Sequence, residues 1–600
     1  PKLFSFNNPA GACKTCDGLG KHQFFDVDRI VQHPTVSISE GAIRGWDRRT
    51  LFYYNMLSSL AQHYDINLAQ PWENLPKTFQ QKVLFGTDDE EINFKYVNDT
   101  GMILSRKHKF EGVLHNMERR YMETESPSVK EELAKYMTSS ECPNCFGTRL
   151  CKSARNVFVD NKTIIEKDGR FCFGTELIES CVKNCNKSIL LNSQNSENHL
   201  DLTIGNVYCG TGGAAPLILD LKKNIYRPSS SKDLLNAARV VDRLSNLSFF
   251  SRPLVLTDIS DPHFMDIYTA IISLSATQKH VMTSVANHKT VKPLAEICYL
   301  LAGGEEAFRN SPFLSLNINF LIPPFRFDSE ACEVMSESVK YGIPVMANVF
   351  GQRGASSPVS IVGSVCQTIA ETLSGLLICW LLDPQSKVIC GPRAMVTDLR
   401  TGGMAGGSGE QAQTTSLLNQ MMQYYKLPNS SIAGASDSNI PDYQAGYEKA
   451  LSIAASAQSG ANLITQASGM LSGLMGVSLE SFILDNELCG SILSSMRRID
   501  TSALDNDLES IKKVINRDKH FLGEADTLKR MNTDFSYPKS AKRLSPELWI
   551  KEKDNTMLTD ACKRLEELLS SNFESHLGLA TLKKLETDFD INLDVVFSQG

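Results

Sequence analysis

From about residue 166 onward, short apolar runs rich in β-branched and aromatic residues alternate with longer stretches whose apolar positions recur at helical spacing. The runs fall at 253–258, 280–287, 314–322, 343–350, 387–390, 431–436, 462–467 and 479–483. Eight strand-then-helix units predict a (β/α)8 TIM-like barrel over 166–530. Residues 1–165 lack that alternation and carry a cysteine pair toward each end, which predicts a separate α+β zinc-binding module. Residues 531–600 carry Ala561, Leu565, Leu568 and Leu569 at helical spacing and read as a helical extension packed on the barrel.

Composition narrows this picture without redirecting it. Six hundred residues, 42% hydrophobic and 22% charged, describe a soluble globular chain of several domains. A formal net charge of -7 gives no overall attraction to nucleic acid or anionic membrane. The most apolar stretch, 373–382, is shorter than a bilayer requires, so no membrane span is expected. The start at Pro1, with no basic and apolar leader, reads as a fragment of a longer product without a secretory signal. Sixteen cysteines are too sparse for a disulfide scaffold. Most, such as Cys298, Cys366, Cys379, Cys390 and Cys489, sit singly in apolar runs, as reduced core residues of a cytoplasmic protein would.

Cys13 and Cys16, and Cys142 and Cys145, form two C-x-x-C pairs. The two-residue spacer lets both sulfurs of a pair reach one tetrahedral ion, so the four thiolates predict one zinc. Gly18, Gly20 and Gly147 supply the knuckle turns. The long gap between the pairs requires an inserted domain. The stretches Phe4-Ser-Phe-Asn-Asn-Pro-Ala-Gly-Ala-Cys-Lys-Thr-Cys-Asp-Gly-Leu-Gly20, Gly41-Ala-Ile-Arg-Gly-Trp-Asp-Arg-Arg49, Phe110-Glu-Gly-Val-Leu-His-Asn-Met-Glu-Arg-Arg-Tyr121 and Cys142-Pro-Asn-Cys-Phe-Gly-Thr-Arg-Leu150 resemble the middle of the bacterial UvrA excision-repair ATPase. That resemblance implies a zinc knuckle and an inserted domain associated with DNA and with the UvrB partner. Arg106, Lys107, Lys109, Arg119 and Arg120 are candidate phosphate contacts, and a solvated helix face is the plainer reading of them. The ATPase machinery of that family is missing: no G-x-x-x-x-G-K-[ST] occurs, and the only Gly-Lys pair, Gly20-Lys21, continues with His22. No ATP hydrolysis is expected.

Two loops after expected barrel strands concentrate chemistry. The first, Thr397-Asp-Leu-Arg-Thr-Gly-Gly-Met-Ala-Gly-Gly-Ser-Gly-Glu-Gln-Ala412, carries Asp398, Arg400 and Glu410 among glycines that allow close backbone approach. The second, Gly434-Ala-Ser-Asp-Ser-Asn-Ile-Pro-Asp-Tyr-Gln-Ala-Gly-Tyr-Glu-Lys449, carries Asp437, Tyr443, Gln444 and Tyr447, a set suited to a cationic ligand. Together with Tyr208-Cys-Gly-Thr-Gly-Gly-Ala-Ala215, Gly354-Ala-Ser-Ser-Pro358 and Ser478-Leu-Glu-Ser-Phe-Ile-Leu-Asp-Asn486, these segments resemble the trimethylamine methyltransferase family over about 166–570. The UvrA-like segment stands where the leading residues of such proteins usually lie.

The second resemblance implies transfer of a methyl group from an amine to the cobalt(I) of a cognate corrinoid protein, in a chain expected to form a homo-oligomer. Family members acting on trimethylamine use pyrrolysine, whereas this sequence contains only standard residues. A quaternary ammonium already carries a neutral amine as leaving group, so a betaine-like donor is favoured. The expected catalytic residues are Asp437, Glu410 and Asp398, as charge partners of the cation. Tyr443, Tyr447, Phe350 and Gln444 are expected to bind substrate, with Arg353, Arg393 or Arg400 pairing a betaine carboxylate. The alternative reading is a UvrA-type repair fragment, binding zinc and DNA or UvrB, in a chimeric chain without ATPase activity.

Overall fold

The computed structural model of the chain describes residues 12–16, 19–97, 103–124, 126–142, 144, 158–159, 162–163, 165–167, 170–195, 198–516, 520–552, 556–589, 591–593 and 597. It divides into two compact units, Lys2–Cys172 and Phe173–Gly600.

In the first unit, strands Lys21–Phe25 and Met137–Glu141 pair antiparallel, with Lys21 opposite Glu141. This ladder clamps the two ends of the inserted domain. Between them lie helices Leu51–His63, Lys77–Phe85 and Val113–Glu123 and a hairpin of Glu91–Val97 with Ile103–Lys109. Their apolar faces close a core around Trp46, Leu57, Leu60, Phe94, Phe110 and Val113, in which the Trp46 and Phe110 rings meet edge to face at 6.2 Å.

The second unit is a closed parallel barrel. Its strands are β1 (Tyr208–Cys209), β2 (Phe249–Ser251), β3 (His280–Thr283), β4 (Leu314–Asn319), β5 (Val345–Val349), β6 (Val388–Pro392), β7 (Ser430–Ile432) and β8 (Leu463–Thr465). Each is followed by a helix: α1 (Ser231–Asp242), α2 (Pro262–Ala276), α3 (Val291–Ala302), α4 (Ser329–Lys340), α5 (Ile361–Leu382), α6 (Gly409–Tyr425), α7 (Tyr443–Gln458) and α8 (Leu479–Ser495). Parallel pairing runs β2 to β6 without interruption, Cys390 bridges to Asn429 at the start of β7, β7 pairs β8, and β8 pairs β1 with Tyr208 opposite Leu463. The bridge from Gly210 to Phe249 completes the ring.

The period-two pattern of the strands sets two environments. Inward residues Phe249, Met282, Met346, Ile389 and Leu463 form one apolar cluster with Leu191 and Leu200 of an antiparallel hairpin, Leu190–Asn192 with His199–Asp201. That hairpin plugs the N-terminal end. Outward residues join the helices in the main core.

The structure corrects three strand expectations. Residues 253–258 follow β2 rather than forming it, β1 was not foreseen, and 479–483 begin helix α8. The apolar run at 479–483 fits strand or helix by periodicity alone, and the Ser478 hydroxyl, accepting from the Ser481 N–H at 3.3 Å, caps it as a helix. β1 is two residues long, too short to carry a period.

Helix α5 is long and apolar enough to cross a membrane by length and composition. Here it is an outer barrel helix against β5 and β6, with 50% of its most apolar window buried. Helices Met557–Ser570 and Leu579–Phe589 belong to the barrel unit. Ala561, Leu565 and Leu585 are buried in its core, and Arg239 of α1 donates to the Ser571 carbonyl at 2.6 Å.

Candidate functional site at the barrel mouth

Above the apolar layer, the inward strand positions turn polar. Asn317 of β4 donates to the Ser251 hydroxyl at 3.3 Å, and Asn348 of β5 donates to Asn317 at 3.5 Å. Gly391 of β6 faces Asn348, and a Cβ there would collide with the Asn348 Oδ1. Arg393, just past β6, turns its guanidinium inward. Nη2 donates to the Ser430 hydroxyl at 3.2 Å and lies 2.9 Å from the Met346 sulfur. No carboxylate among the described residues reaches it within ion-pair distance, and burial pushes its pKa down to about 9. Arg393 Nε, Asn348 Oδ1 and the Gln466 Oε1 beyond β8 are buried without a hydrogen-bond partner. Buried polar atoms left unmatched in one small region mark a place built for something else to bond to.

A second buried arginine, Arg252, follows β2. Its partner Asp266 of α2 stands 4.0 Å away and also accepts from the Ala286 N–H at 2.6 Å. Burial lowers the arginine's pKa and raises the aspartate's, each opposing the ion pair that holds them.

The two chemistry-rich loops meet over this floor's rim. Asp437 accepts from the Gly406 N–H at 3.0 Å and the Gly407 N–H at 3.2 Å. Glu448 accepts from the Ser436 hydroxyl at 2.6 Å, the Asp437 N–H at 2.8 Å and the Gln444 amide at 2.8 Å, and Tyr447 reaches it at 3.5 Å. A Cβ at Gly407 would strike Glu448, so the glycine is what lets the loops touch. Burial, and secondarily the neighbouring Glu448, raises the Asp437 pKa.

The remaining sequence candidates are dispersed. Asp398 and Arg400 pair with each other at 2.8 Å on the same loop, and the arginine's hydrogen bonds hold the Asp398 pKa at about 2. Glu410 is exposed in the first turn of α6. Tyr443 and Tyr447 lie 5.7 Å apart but are 87% and 49% exposed, so they form an open face. Phe350 is half-buried at the end of β5, and Arg353 donates to the Val359 carbonyl at 2.7 Å. Asp258 and Asn287, polar residues at expected strand ends, serve as local caps: Asp258 accepts from Ser231 and Asn287 from Lys289. Sequence reasoning missed Ser251, Arg252, Asn317, Asn348 and Gln466. The signal was there in the asparagines, each a polar residue on the inward beat of an apolar run.

In the first unit, Cys13, Cys16 and Cys142 are buried with their sulfurs within 4.8 Å of one another, a cluster able to hold a metal ion. Cys145 lies outside the described residues. Burial raises the Cys13 thiol, but hydrogen bonds from Thr15 and Cys16 and contacts with the other thiols outweigh it and bring the pKa to about 7. The Cys142 N–H donates to the Gly20 carbonyl at 3.1 Å and the Asn144 amide to Thr15 at 2.5 Å, which docks the second knuckle on the first. Of the basic candidates, Lys107 pairs with Glu91, Lys109 with Asp89, and Arg119 with Glu111 and Glu123, while Arg120 lies over the Tyr53 ring.

Comparison with known proteins separates along the same division. The profile of the family "Trimethylamine methyltransferase (MTTB)" matches residues 148–591, and that of the UvrA DNA-binding domain matches 26–135. The UvrABC system protein A of Salmonella typhimurium is 58% identical over 161 residues, and that of Haemophilus influenzae 57% over 159. These alignments cover 27% and 26% of this chain and 17% of each relative, so the chain spans about a sixth of their length. Among solved structures, the monomethylamine methyltransferase of Methanosarcina barkeri aligns at 12% identity and a TM-score of 0.39, over 67% of this chain and 82% of its own. UvrA2 of Deinococcus radiodurans aligns at 26% identity and a TM-score of 0.24, over 30% of this chain and 24% of its own.

Proposed function

The chain belongs to the trimethylamine methyltransferase family, and from that premise we propose that its barrel transfers a methyl group from a betaine-like quaternary amine to the corrinoid of a partner protein. The observation that carries the choice of donor is Arg393. A buried guanidinium without a counter-ion is costly unless a ligand supplies one, and a carboxylate matches its fork of donors. Asn348 and Gln466 offer further unmatched polar atoms to the same ligand.

The quaternary nitrogen then lies toward the carboxylate-and-tyrosine rim. Asp437 provides negative charge there, and Tyr443 and Tyr447 provide ring faces, each desolvated cation–π contact contributing on the order of 2 kcal/mol. Gln444 holds Glu448 in place. The corrinoid, when its carrier docks, supplies a strongly nucleophilic cobalt(I). The barrel's own task is to orient the donor and to exclude water once the carrier covers the exposed tyrosines. No side-chain proton transfer is required, because the departing amine leaves neutral.

The decisive assay follows loss of cobalt(I) absorbance after addition of glycine betaine, carnitine, proline betaine or trimethylamine to enzyme and a reduced corrinoid protein. Transfer from at least one quaternary donor should outpace transfer from trimethylamine, and the reverse order overturns the reading.

The likeness of the first unit to UvrA favours a second role there. Cys13, Cys16 and Cys142, with Cys145 as the fourth thiolate, would hold one zinc as a structural tie between the knuckles. The module would keep a surface for DNA or UvrB. Its ion pairs need not forbid DNA contact, since exposed pairs are worth under about 1 kcal/mol each. Metal analysis of the full chain should give one zinc, lost in a Cys13→Ser, Cys16→Ser double variant; unchanged zinc content excludes this site.

A further inference from the structure

Helix α9 (Leu504–Ile515) leaves its most apolar stripe in solvent. Leu504, Leu508, Ile511 and Ile515 are 56%, 47%, 42% and 63% exposed. Their spacings of four, three and four are those of a coiled-coil seam. Val514 is the one buried apolar residue of the helix, and it lies roughly a quarter of a turn away from the seam. The helix is therefore fastened to its own chain by one side and presents a second apolar side outward. Phe521, Leu522 and Leu528 are exposed in the neighbouring segment, which is held to α9 by the Lys513–Glu524 pair at 3.3 Å.

The charges around the seam identify what fits it. Asp505, Asp507 and Glu509 occupy the N-terminal half of α9, and Lys512 and Lys513 the C-terminal half. A helix acidic at one end and basic at the other complements itself when a copy lies antiparallel. The apolar pattern has the same symmetry: a two-fold axis at the helix centre sets Leu504 opposite Ile515 and Leu508 opposite Ile511. In that arrangement Asp505 of one copy flanks Lys512 of the other, as interfacial charges at such positions do. The Lys512–Glu509 pair at 2.7 Å is 70% and 73% exposed, so its partners are free to exchange.

We propose that α9 is a two-fold, antiparallel dimerisation surface on which a second copy of this chain docks. The interface is isologous, which closes the assembly rather than extending it. The proposal stands apart from the methyl-transfer reading, since it uses no residue of the barrel mouth.

Sedimentation of the full-length chain across micromolar concentrations tests it. Wild type should sediment at twice the monomer mass. The Leu508→Glu, Ile511→Glu double variant should fall to the monomer mass with an unchanged circular-dichroism spectrum, because both side chains are already in solvent. Asp505→Lys should weaken association at least tenfold, and Asp505→Lys with Lys512→Asp should restore it. Under mild oxidation, with wild type as the background for native thiols, the Leu508→Cys, Ile511→Cys double variant should cross-link between copies, and Leu504→Cys alone should not. A monomeric wild type, a double-glutamate variant that remains dimeric, or efficient cross-linking through Leu504→Cys overturns the proposal. Association only with a different protein assigns the stripe to that partner and overturns it equally.

Discussion

The two ends of the barrel are built from the same eight strands and are opposites. At the N-terminal end Phe249, Met282, Met346, Ile389 and Leu463 pack against Leu191 and Leu200 of the plugging hairpin. Higher along the strands, Asn317 and Asn348 occupy inward positions and Arg393, just past β6, turns its side chain inward, and the Asn348 Oδ1 and Arg393 Nε have no partner. The lower layer is where burial stabilises the chain. In the upper layer burial is imposed on groups that water would solvate better, and such a place exists for what it binds. Stability and activity should therefore respond separately to substitutions one strand position apart.

The sharpest separation is expected at Arg393. Arg393→Met removes the buried arginine of the floor that has no carboxylate within ion-pair distance among the described residues and should lower kcat/KM for a betaine roughly 30- to 5000-fold, from the ~2–5 kcal/mol that truncating a buried charge partner costs. The same change relieves an uncompensated buried charge, so the melting temperature should hold or rise. Unchanged transfer kinetics would take the substrate off this floor. At the opposite end, Leu191→Ala should cost about 2–5 kcal/mol of stability by opening a cavity under the plug. Its KM should stay at the wild-type value, and a changed KM at full folding would erase the distinction between the layers.

His280 sharpens the contrast through pH. The imidazole lies at the plugged end, with Nδ1 donating to the Asn192 carbonyl at 2.7 Å and Nε2 accepting from the Ser315 hydroxyl at 2.9 Å. Burial pushes its pKa down to about 4, below the ~6.5 of an unfolded histidine. The fold thus favours the neutral ring. That contribution is complete above about pH 6.5 and is lost as pH falls toward 4, amounting to ~3 kcal/mol by linkage. Denaturant titrations at pH 7 and pH 4.5 should show the loss in wild type and a smaller one in His280→Gln. Equal losses would place the acid sensitivity elsewhere. The smallest effect is expected at the rim: Asp437→Asn gives up one of two backbone N–H bonds to the glycine loop, about 1 kcal/mol, and should slow transfer roughly fivefold.

How much of this could be read beforehand differed along the chain. Strands β3 to β8 stood out because each is a compact apolar run between turn residues. β1 did not, since a two-residue strand leaves no period, and α8 was mistaken for a strand because Leu479-Glu-Ser-Phe-Ile483 fits either period until its serine cap is seen. The site divided in the same manner. Asp437, Gln444 and Tyr447 lie close together in sequence, and the structure brings them together around Glu448. Asn317 and Asn348 come from β4 and β5 and Gln466 from just beyond β8, and only ring closure assembles them. Asp398 and Arg400 looked like two separate ligands in sequence, whereas in space each satisfies the other.

Ring closure also has a timetable. The seam that completes the barrel joins Tyr208 to Leu463, the first strand to the last, and no earlier strand can stand in for either. During synthesis β1 leaves the ribosome with one edge unpaired and keeps it so until β8 follows, while the first unit, whose ladder from Lys21 to Glu141 is finished far upstream, has its core complete before β1 emerges. Entropy charges little for the long span, because loop closure grows only with the logarithm of length. The exposure is one of time, in which an open sheet edge can meet other chains. A pause before residue 463 should therefore yield chains that aggregate through β1 with their first unit already protease-resistant.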